Sequence, residues 1–173
     1  SSDLQHALDA TAAQGDTVLV APGRYTENLD YLGKDIVLSS YYQLGGDEAL
    51  IQGTILDGGQ NGAVVLFRDG ESRAAVLNGF TVTNGSGYLH SIGGSDGGGI
   101  SIRMSSPSIT NCRIVGNQCI GMTGGGGMHI AYSDIYLSNV TIAHNLAQNR
   151  GGGIFVASSS IEMDSLNRCS IYH

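Results

Sequence analysis

The chain has 173 residues, enough for one domain, and contains 27 glycines but only two prolines, which suits many tight turns and no rigid linker. Its formal net charge of −7, with Lys34 as the one lysine, argues against nucleic acid or an anionic membrane as a partner. No stretch approaches the ~18 consecutive apolar residues of a membrane span, so we expect no membrane insertion.

The N-terminal segment, residues 2–14, is predicted to form a helix, because its apolar residues recur at spacings of three and four. Ser2 and Gln5 match a capping box at its start, and Gly15 stands where the helix should stop. We expect this helix to cap the first coil, because an uncovered coil would expose its apolar interior and a sheet edge.

Short strands are predicted to follow the helix. Residues 16–20 alternate between polar and apolar side chains, which is typical of a strand with one buried side. Lys34 lies among these first coils and is interpreted as structural. The further strands predicted in this half of the chain are residues 35–38, 51–56, 64–67 and 75–82.

The remaining residues, 97–173, are one unit repeated nearly three times. Glycine triplets begin at Gly97, Gly125 and Gly151, which are 28 and then 26 residues apart. An alternating run follows each triplet, and two further alternating pairs complete each unit, so each unit contributes three short strands. The apolar pairs are Ile100 and Ile102, Met128 and Ile130, Ile154 and Val156; Pro107 and Ile109, Ile135 and Leu137, Ile161 and Met163; and Cys112 and Ile114, Val140 and Ile142, Cys169 and Ile171.

Units of this kind cannot close a core alone, so they predict stacking into continuous inner columns. The expected fold is all-β: a right-handed single-stranded parallel β-helix of about six coils, ~4.8 Å apart, with a short N-terminal capping α-helix. We predict one domain over residues 1–173, with the helix over 2–14 and coils over 16–173. His173 aligns with Gly116 and His144, so the last coil is incomplete; we expect a longer parent chain or end-to-end association there.

These glycine-led strands, inward aliphatic columns and turn asparagines resemble the pectin-lyase-like superfamily and its parallel β-helix repeat proteins, along essentially the whole chain. The resemblance implies the β-helix fold. It also implies a class with many polysaccharide-cleaving members, but the shared pattern builds the rod and names no activity.

Three longer loops precede the glycine triplets, at residues 84–96, 117–124 and 145–150. Equivalent positions in stacked coils place such loops side by side along one edge, where solenoids usually bind. Asn117 and Asn145 occupy identical turn positions there and are predicted to form an asparagine ladder. An aromatic platform with polar groups suits a sugar, and the candidate ligand-binding residues are Tyr88, His90, His129, Arg150 and Phe155.

The sequence also offers catalytic candidates. A lyase needs a base and a cation, calcium or arginine, to neutralise the uronate, and Arg103 is the arginine on the glycine-triplet strands. A glycosidase needs two carboxyl groups, and Glu162 and Asp164 alternate outward about 7 Å apart, a permissive distance for inversion. No aspartate cluster typical of a calcium-binding lyase accompanies these residues.

The other reactive residues are interpreted as structural. Cys112 and Cys169 share one inner column two rungs apart, about 10 Å, which is too far for a disulfide. Cys119 is expected in a loop as a free thiol. Asp96 has no partner at the nine-residue period of a calcium roll, and the histidines are scattered, so no metal site is predicted.

The leading hypothesis is a secreted or surface-exposed bacterial β-helix module that binds a polysaccharide or cell-surface glycan, with no cofactor and no catalysis in these coils. The alternative is part of a polysaccharide lyase or glycoside hydrolase acting on acidic polysaccharide, for which calcium would be the cofactor. A purely structural spacer or adhesin stalk is the third hypothesis.

Overall fold

The computed structural model describes residues 3–11, 14–87, 97–120, 124–164 and 169–172. Within them the chain winds into a parallel β-solenoid of about five turns with the start of another, which confirms the predicted all-β solenoid. The helices are α1 (Leu4–Ala10), α2 (Tyr42–Gly45) and α3 (Glu48–Gly53). The strands are β1 (Gln14–Val20), β2 (Gly23–Thr26), β3 (Leu29–Asp30), β4 (Asp35–Ser40), β5 (Thr54–Asp57), β6 (Val65–Phe67), β7 (Val76–Asn78), β8 (Thr81–Thr83), β9 (Ile100–Arg103), β10 (Ser108–Val115), β11 (Gln118–Cys119), β12 (Met128–Ala131), β13 (Asp134–Ala143), β14 (Leu146–Ala147), β15 (Ile154–Ala157), β16 (Ser160–Met163) and β17 (Ser170–Tyr172).

The strands form three faces, each a ladder of parallel strands along the solenoid. The first face contains β1, β4, β7, the first halves of β10 and β13, and β16. The second contains β2, β5, β8, the second halves of β10 and β13, and β17. The third contains β3, β6, β9, β12 and β15. The core lies between the three faces.

The sequence period is the register of the stack. Met128 pairs with Ile100 below it and with Ile154 above it, and Ile142 pairs in the same way with Ile114 and Ile171. These inward columns merge into one continuous core in which most side chains have no exposed surface. The predicted alignment of the repeated units is therefore confirmed.

Strands β10 and β13 bend from the first face to the second at a single residue. Asn111 and Asn139 make the bend with φ of 52° each, a left-handed conformation that asparagine tolerates well. The Asn139 amide donates to the Asn111 carbonyl oxygen at 3.0 Å, and Asn111 donates to Asn78 at 2.7 Å. This ladder was not among the predicted features.

The predicted ladder of Asn117 and Asn145 is confirmed at the corner between the second and third faces. The Asn145 side-chain oxygen accepts from the Asn117 backbone N–H at 2.9 Å, and the Asn117 oxygen accepts from Gly85 N–H at 2.9 Å. The Asn145 amide donates to the Ile114 carbonyl at 2.8 Å. Both asparagines are buried, so the ladder satisfies turn groups that water does not reach.

Helix α1 covers the first turn, as expected of a cap, with Leu4 and Leu8 buried in the core. It is shorter than the predicted 2–14, because β1 already begins at Gln14. Its N-cap is Asp3, whose carboxylate accepts from His6 N–H, instead of Ser2. Ser2 itself lies outside the described residues.

Two side chains from the solenoid hold α1 in place. The Glu27 carboxylate accepts from the N–H groups of Leu4 and Gln5 at 3.0 and 3.1 Å. The Lys34 ammonium donates to the carbonyls of Leu8 and Asp9 at 2.7 and 2.8 Å, where a cation suits the C-terminal end of a helix. The structural interpretation of Lys34 is confirmed.

An insertion between β4 and β5 forms α2 and α3, neither of which the alternation predicted. Residues 51–53 are helical, so the strand predicted over 51–56 is wrong in its first half. Ile51 packs into the solenoid with 5% of its surface exposed, and the Thr81 hydroxyl donates to its carbonyl at 2.8 Å. A tertiary contact therefore fixes this segment as a helix against the second face.

The far end of the described chain leaves apolar side chains exposed. The exposed fractions are 42% for Val156, 46% for Met163, 53% for Ile171 and 54% for Tyr172. End-to-end association through this surface stays a prediction.

Candidate functional site

The third face presents the residues that the sequence assigned to ligand binding. Ser101, His129 and Phe155 pair in register on β9, β12 and β15 and form one column. The alternate residues Met128 and Ile130 are fully buried in the core, so the column lies on the outer side of the sheet.

His129, Phe155 and Arg150 form one stacked group, named here the aromatic stack. The rings of His129 and Phe155 lie 5.4 Å apart with their planes inclined by 28°. The guanidinium carbon of Arg150 lies 5.5 Å from the centre of the Phe155 ring, a cation–π contact. His129 is 8% exposed, Phe155 is half-buried and Arg150 is exposed, so solvent reaches the stack from the Arg150 end.

Three of the five predicted ligand-binding residues thus come together. The other two, Tyr88 and His90, lie outside the described residues. His129 is more buried than its outward position suggested, because neighbouring backbone and the Phe155 ring cover it.

The glycine triplets bring the loops close to the aromatic stack. A Cβ added at Gly97 would lie 2.5 Å from the His129 backbone nitrogen, and one at Gly125 would lie 2.7 Å from that of Phe155. Real side chains do not fit at such distances, so the triplets are sites of close backbone approach, as predicted. Arg150 precedes the third triplet and reaches Phe155 from there.

The loops also lie side by side, as their equivalent positions implied. Gln118 pairs with Leu146 and Cys119 with Ala147 in a small parallel sheet of β11 and β14. Gln118 N–H donates to the Gly85 carbonyl at 2.9 Å, which joins the start of the first loop to the second. The described parts of the three loops therefore form one edge beside the third face.

Two arginines on or beside this face keep their donors available. Arg103 and Arg150 are exposed, and neither guanidinium makes a hydrogen bond or ion pair with the residues that the structure describes. Arg103 stands in register with Ala131 of the next turn. The ion pairs among the described residues are Arg24 with Asp57, Arg68 with Asp30, and Arg73 with Glu162.

The catalytic candidates lie on two faces of the solenoid. Glu162 lies on β16 of the first face, where it pairs with Arg73 at 2.6 Å. Asp164 follows the same strand and accepts from the Tyr136 hydroxyl at 3.3 Å. Arg103 belongs to the third face, so the arginine and the two carboxylates lie on different sides of the solenoid.

One group of three carboxylates has ligand atoms within 4.8 Å of one another: Asp30, Asp69 and Glu71. Glu71 already accepts from Gly33 N–H at 2.8 Å and from the Ser105 hydroxyl at 2.7 Å. Asp30 pairs with Arg68 at 2.6 Å. Glu71 and Asp30 thus hold neighbouring turns together, and nothing further points to an ion at this group.

The cysteines pack as small apolar residues. None of Cys112, Cys119 and Cys169 forms a disulfide. Burial raises the pKa of the Cys112 thiol to about 12, which keeps it protonated and unreactive at neutral pH. Cys119 lies in β11 with 1% of its surface exposed, so its predicted place in a loop is wrong.

A second concave region went unrecognised in the sequence. It lies between α3 and the bend of β10 and β13, where the helical insertion stands beside the strands. The sequence signal that could have indicated it is Arg113, because this charged residue occupies the strand position that Thr141 occupies in the next turn. Polar residues that line this region are Glu48, Gln52, Asn111, Arg113, Asn139 and Thr141.

Comparison of the chain with family models, with curated proteins and with solved structures found no significant match. Within the described residues, no helix combines the length and the apolar run that a bilayer crossing requires. The case for a function therefore rests on the geometry given above.

Proposed function

We propose that this chain is a glycan-binding β-solenoid module of the pectin-lyase-like type, which acts as a secreted or cell-surface protein and carries no catalysis in these turns. Its ligand is a polysaccharide or cell-surface glycan that lies across the third face, over the aromatic stack. The observation that carries the proposal is the half-buried Phe155 ring beside an exposed Arg150 guanidinium.

This pair offers the two contacts that a sugar ring needs. The apolar surface of Phe155 packs against the C–H groups of the ring, and an aromatic side chain does so at a small cost in side-chain entropy. Arg150 has five N–H donors that no described residue uses, so they are available to sugar oxygens. His129 supports Phe155 from the turn below and fixes its orientation.

The charge of this face favours an acidic glycan. The chain as a whole has a net charge of −7, yet Arg103 and Arg150 are unpaired within its described part. They belong to turns two rungs apart, or about 10 Å along the solenoid. A polymer with repeating carboxylate groups is able to reach both, and a guanidinium binds a carboxylate through two parallel hydrogen bonds.

Binding has more support than the enzyme alternative. A lyase needs a base beside its cation, whereas Arg103 lies on a different face from Glu162 and Asp164. A glycosidase needs two available carboxyl groups, whereas Glu162 is paired with Arg73 and Asp164 accepts from the Tyr136 hydroxyl. A plain spacer does not require unpaired arginines on one face. These considerations favour a binding module over both.

A glycan array that contains uronate polymers and their neutral counterparts tests the proposal. We expect binding to uronate polymers, reduced at least tenfold by Phe155→Ala and by Arg150→Gln, since hydrogen bonds to charged groups contribute about 1.5–3 kcal/mol. Arg73→Gln removes the same charge from the first face and should leave binding unchanged.

Two outcomes would overturn this proposal. Absence of binding to any glycan would favour a spacer, and equal binding by Arg150→Gln and the unaltered chain would place the ligand elsewhere. Absorbance of unsaturated products from uronate polymers, measured with and without added calcium, addresses the lyase alternative in the same samples.

A further inference from the structure

The cleft beside α3 is a second place where polar side chains converge. Its floor is the bend of β10 and β13, where Asn139 donates to Asn111 at 3.0 Å and so fixes both carboxamides. One wall is α3, which Ile51 anchors to the solenoid through its buried side chain and through its carbonyl. The cleft is open to solvent and has a volume of about 80 Å³.

The two walls of this cleft carry side chains of opposite charge. Glu48 and Gln52 stand four residues apart on α3, so they lie on one side of the helix. Arg113 and Thr141 pair in register on the facing strands, one rung apart. All four side chains line the cleft.

These side chains are not used in holding the fold. Arg113 is half-buried, yet its guanidinium forms no hydrogen bond or ion pair with any part of the chain that the structure describes. The Glu48 carboxylate and the Thr141 hydroxyl likewise have no partner among the described residues. Glu48 and Arg113 therefore share a cleft without forming an ion pair, which leaves space between an acceptor and a donor.

We propose that this cleft binds one neutral sugar residue through its hydroxyl groups. A hydroxyl both donates and accepts, so adjacent hydroxyls of one ring are able to donate to Glu48 and accept from Arg113. Gln52 and Thr141 supply further hydrogen-bonding groups beside them. The cleft volume is well below the ~300–1,000 Å³ range of ligand pockets, so the cleft receives the hydroxyl-bearing edge of one ring while the rest of the ligand stays in solvent.

The charges decide in favour of a neutral ligand. A ligand carboxylate drawn to Arg113 would be repelled by the carboxylate of Glu48 on the opposite wall. A ligand ammonium group drawn to Glu48 would be repelled by the guanidinium of Arg113. The one positive and one negative group cancel, so a ligand without charge meets no repulsion. This distinguishes the cleft from the third face, where Arg103 and Arg150 are unpaired and the proposed glycan is acidic.

The inference does not depend on the proposed function, because the cleft and the aromatic stack share no residue. Amide chemical shifts in two-dimensional NMR of the full chain, titrated with methyl glycosides of glucose, galactose and mannose, test it. We expect saturable shifts in the α3 residues and at Arg113 and Thr141 for at least one glycoside. Galacturonic acid should bind at least tenfold more weakly than the methyl glycoside of galactose, if that glycoside binds.

Variants locate the binding. Glu48→Gln and Thr141→Val each change a few atoms with little change in volume, and each should weaken the glycoside at least tenfold. Phe155→Ala should leave it unchanged. No saturable shift with any of the three glycosides, unchanged affinity in both cleft variants, or tighter binding of the uronic acid would each overturn the inference. Thermal unfolding of both variants confirms that they are folded.

Discussion

Two columns of the solenoid have the same period but opposite character. The Asn117 and Asn145 column repeats the same residue, is buried, and bonds to backbone groups from one turn to the next. The column of Ser101, His129 and Phe155 changes residue in every turn and becomes more exposed toward Phe155. The ladder asparagines repeat because they bond from one turn to the next, whereas outer side chains are able to differ, so the side chains of the proposed binding site lie where the copies differ.

The strongest test of this contrast is the glycine beside the ladder. Gly98→Ala should destabilise the protein by about 3 kcal/mol or prevent folding, because overpacking is costly where backbone does not yield. The added Cβ would lie 2.3 Å from the Gln118 carbonyl oxygen and 2.4 Å from that of Gly126. Urea unfolding followed by circular dichroism measures the loss.

Gly45→Ala in α2 is the matched control, since an added Cβ there meets nothing within 4 Å. It should change the free energy of unfolding by less than about 0.5 kcal/mol. Equal stability of the two variants would contradict the close approach at the triplets.

The next largest effect should come from the ladder itself. Asn145→Ala removes the acceptor of the buried Asn117 N–H and an acceptor of the Asn117 side-chain amide, as well as the donor to the Ile114 carbonyl, and each buried group left unpaired costs about 1–3 kcal/mol. We expect a total loss of about 3 kcal/mol in the same urea experiment. Phe155→Ala, at the half-buried outer position, should lose about 1 kcal/mol.

Comparing the two variants in both assays sharpens the contrast. Asn145→Ala should mainly lower the free energy of unfolding, whereas Phe155→Ala should mainly weaken glycan binding. Exposed Gln148 serves as a neutral reference through Gln148→Ala. A larger stability loss for Phe155→Ala than for Asn145→Ala would make the outer column structural.

The smallest expected effect is a dependence of the free energy of unfolding on pH. It arises at Asp57, which lies at the same corner in an earlier turn that has no ladder asparagine. Burial raises the Asp57 pKa, but hydrogen bonds from Gly59 N–H, Asn84 and Arg24, with the charge of Arg24, outweigh it and lower the pKa below 3.8. A lowered folded-state pKa means that the stabilisation is complete above about pH 4 and is lost as the pH falls through the folded value.

Asp57→Asn should therefore be less stable than the unaltered chain at neutral pH, and the difference should shrink below about pH 4. Urea unfolding at a series of pH values measures it. The Asn145→Ala difference provides the contrast, because an amide ladder does not titrate and its contribution should not follow this curve. A constant difference for Asp57→Asn across the series would contradict the assigned hydrogen bonds.

The parts of the fold that were predicted share one physical cause. Parallel turns stack in register, so a spacing of 28 or 26 residues becomes a lateral contact, and His129 has to lie beside Phe155. The Asn117 and Asn145 ladder follows from the same argument. The helical insertion breaks the period, and its residues carry no repeat against which they can be aligned.

By itself the sequence determined the solenoid, the inner columns, the loop edge and the column that contains the aromatic stack, because all of these are consequences of periodicity. Only the tertiary structure decided that α3 packs beside Arg113, that Arg73 pairs with Glu162, and that Arg103 lies on another face from the carboxylates. Those contacts join residues far apart in the chain and off the repeat, so they depend on how insertions and side chains fill the space around the rod.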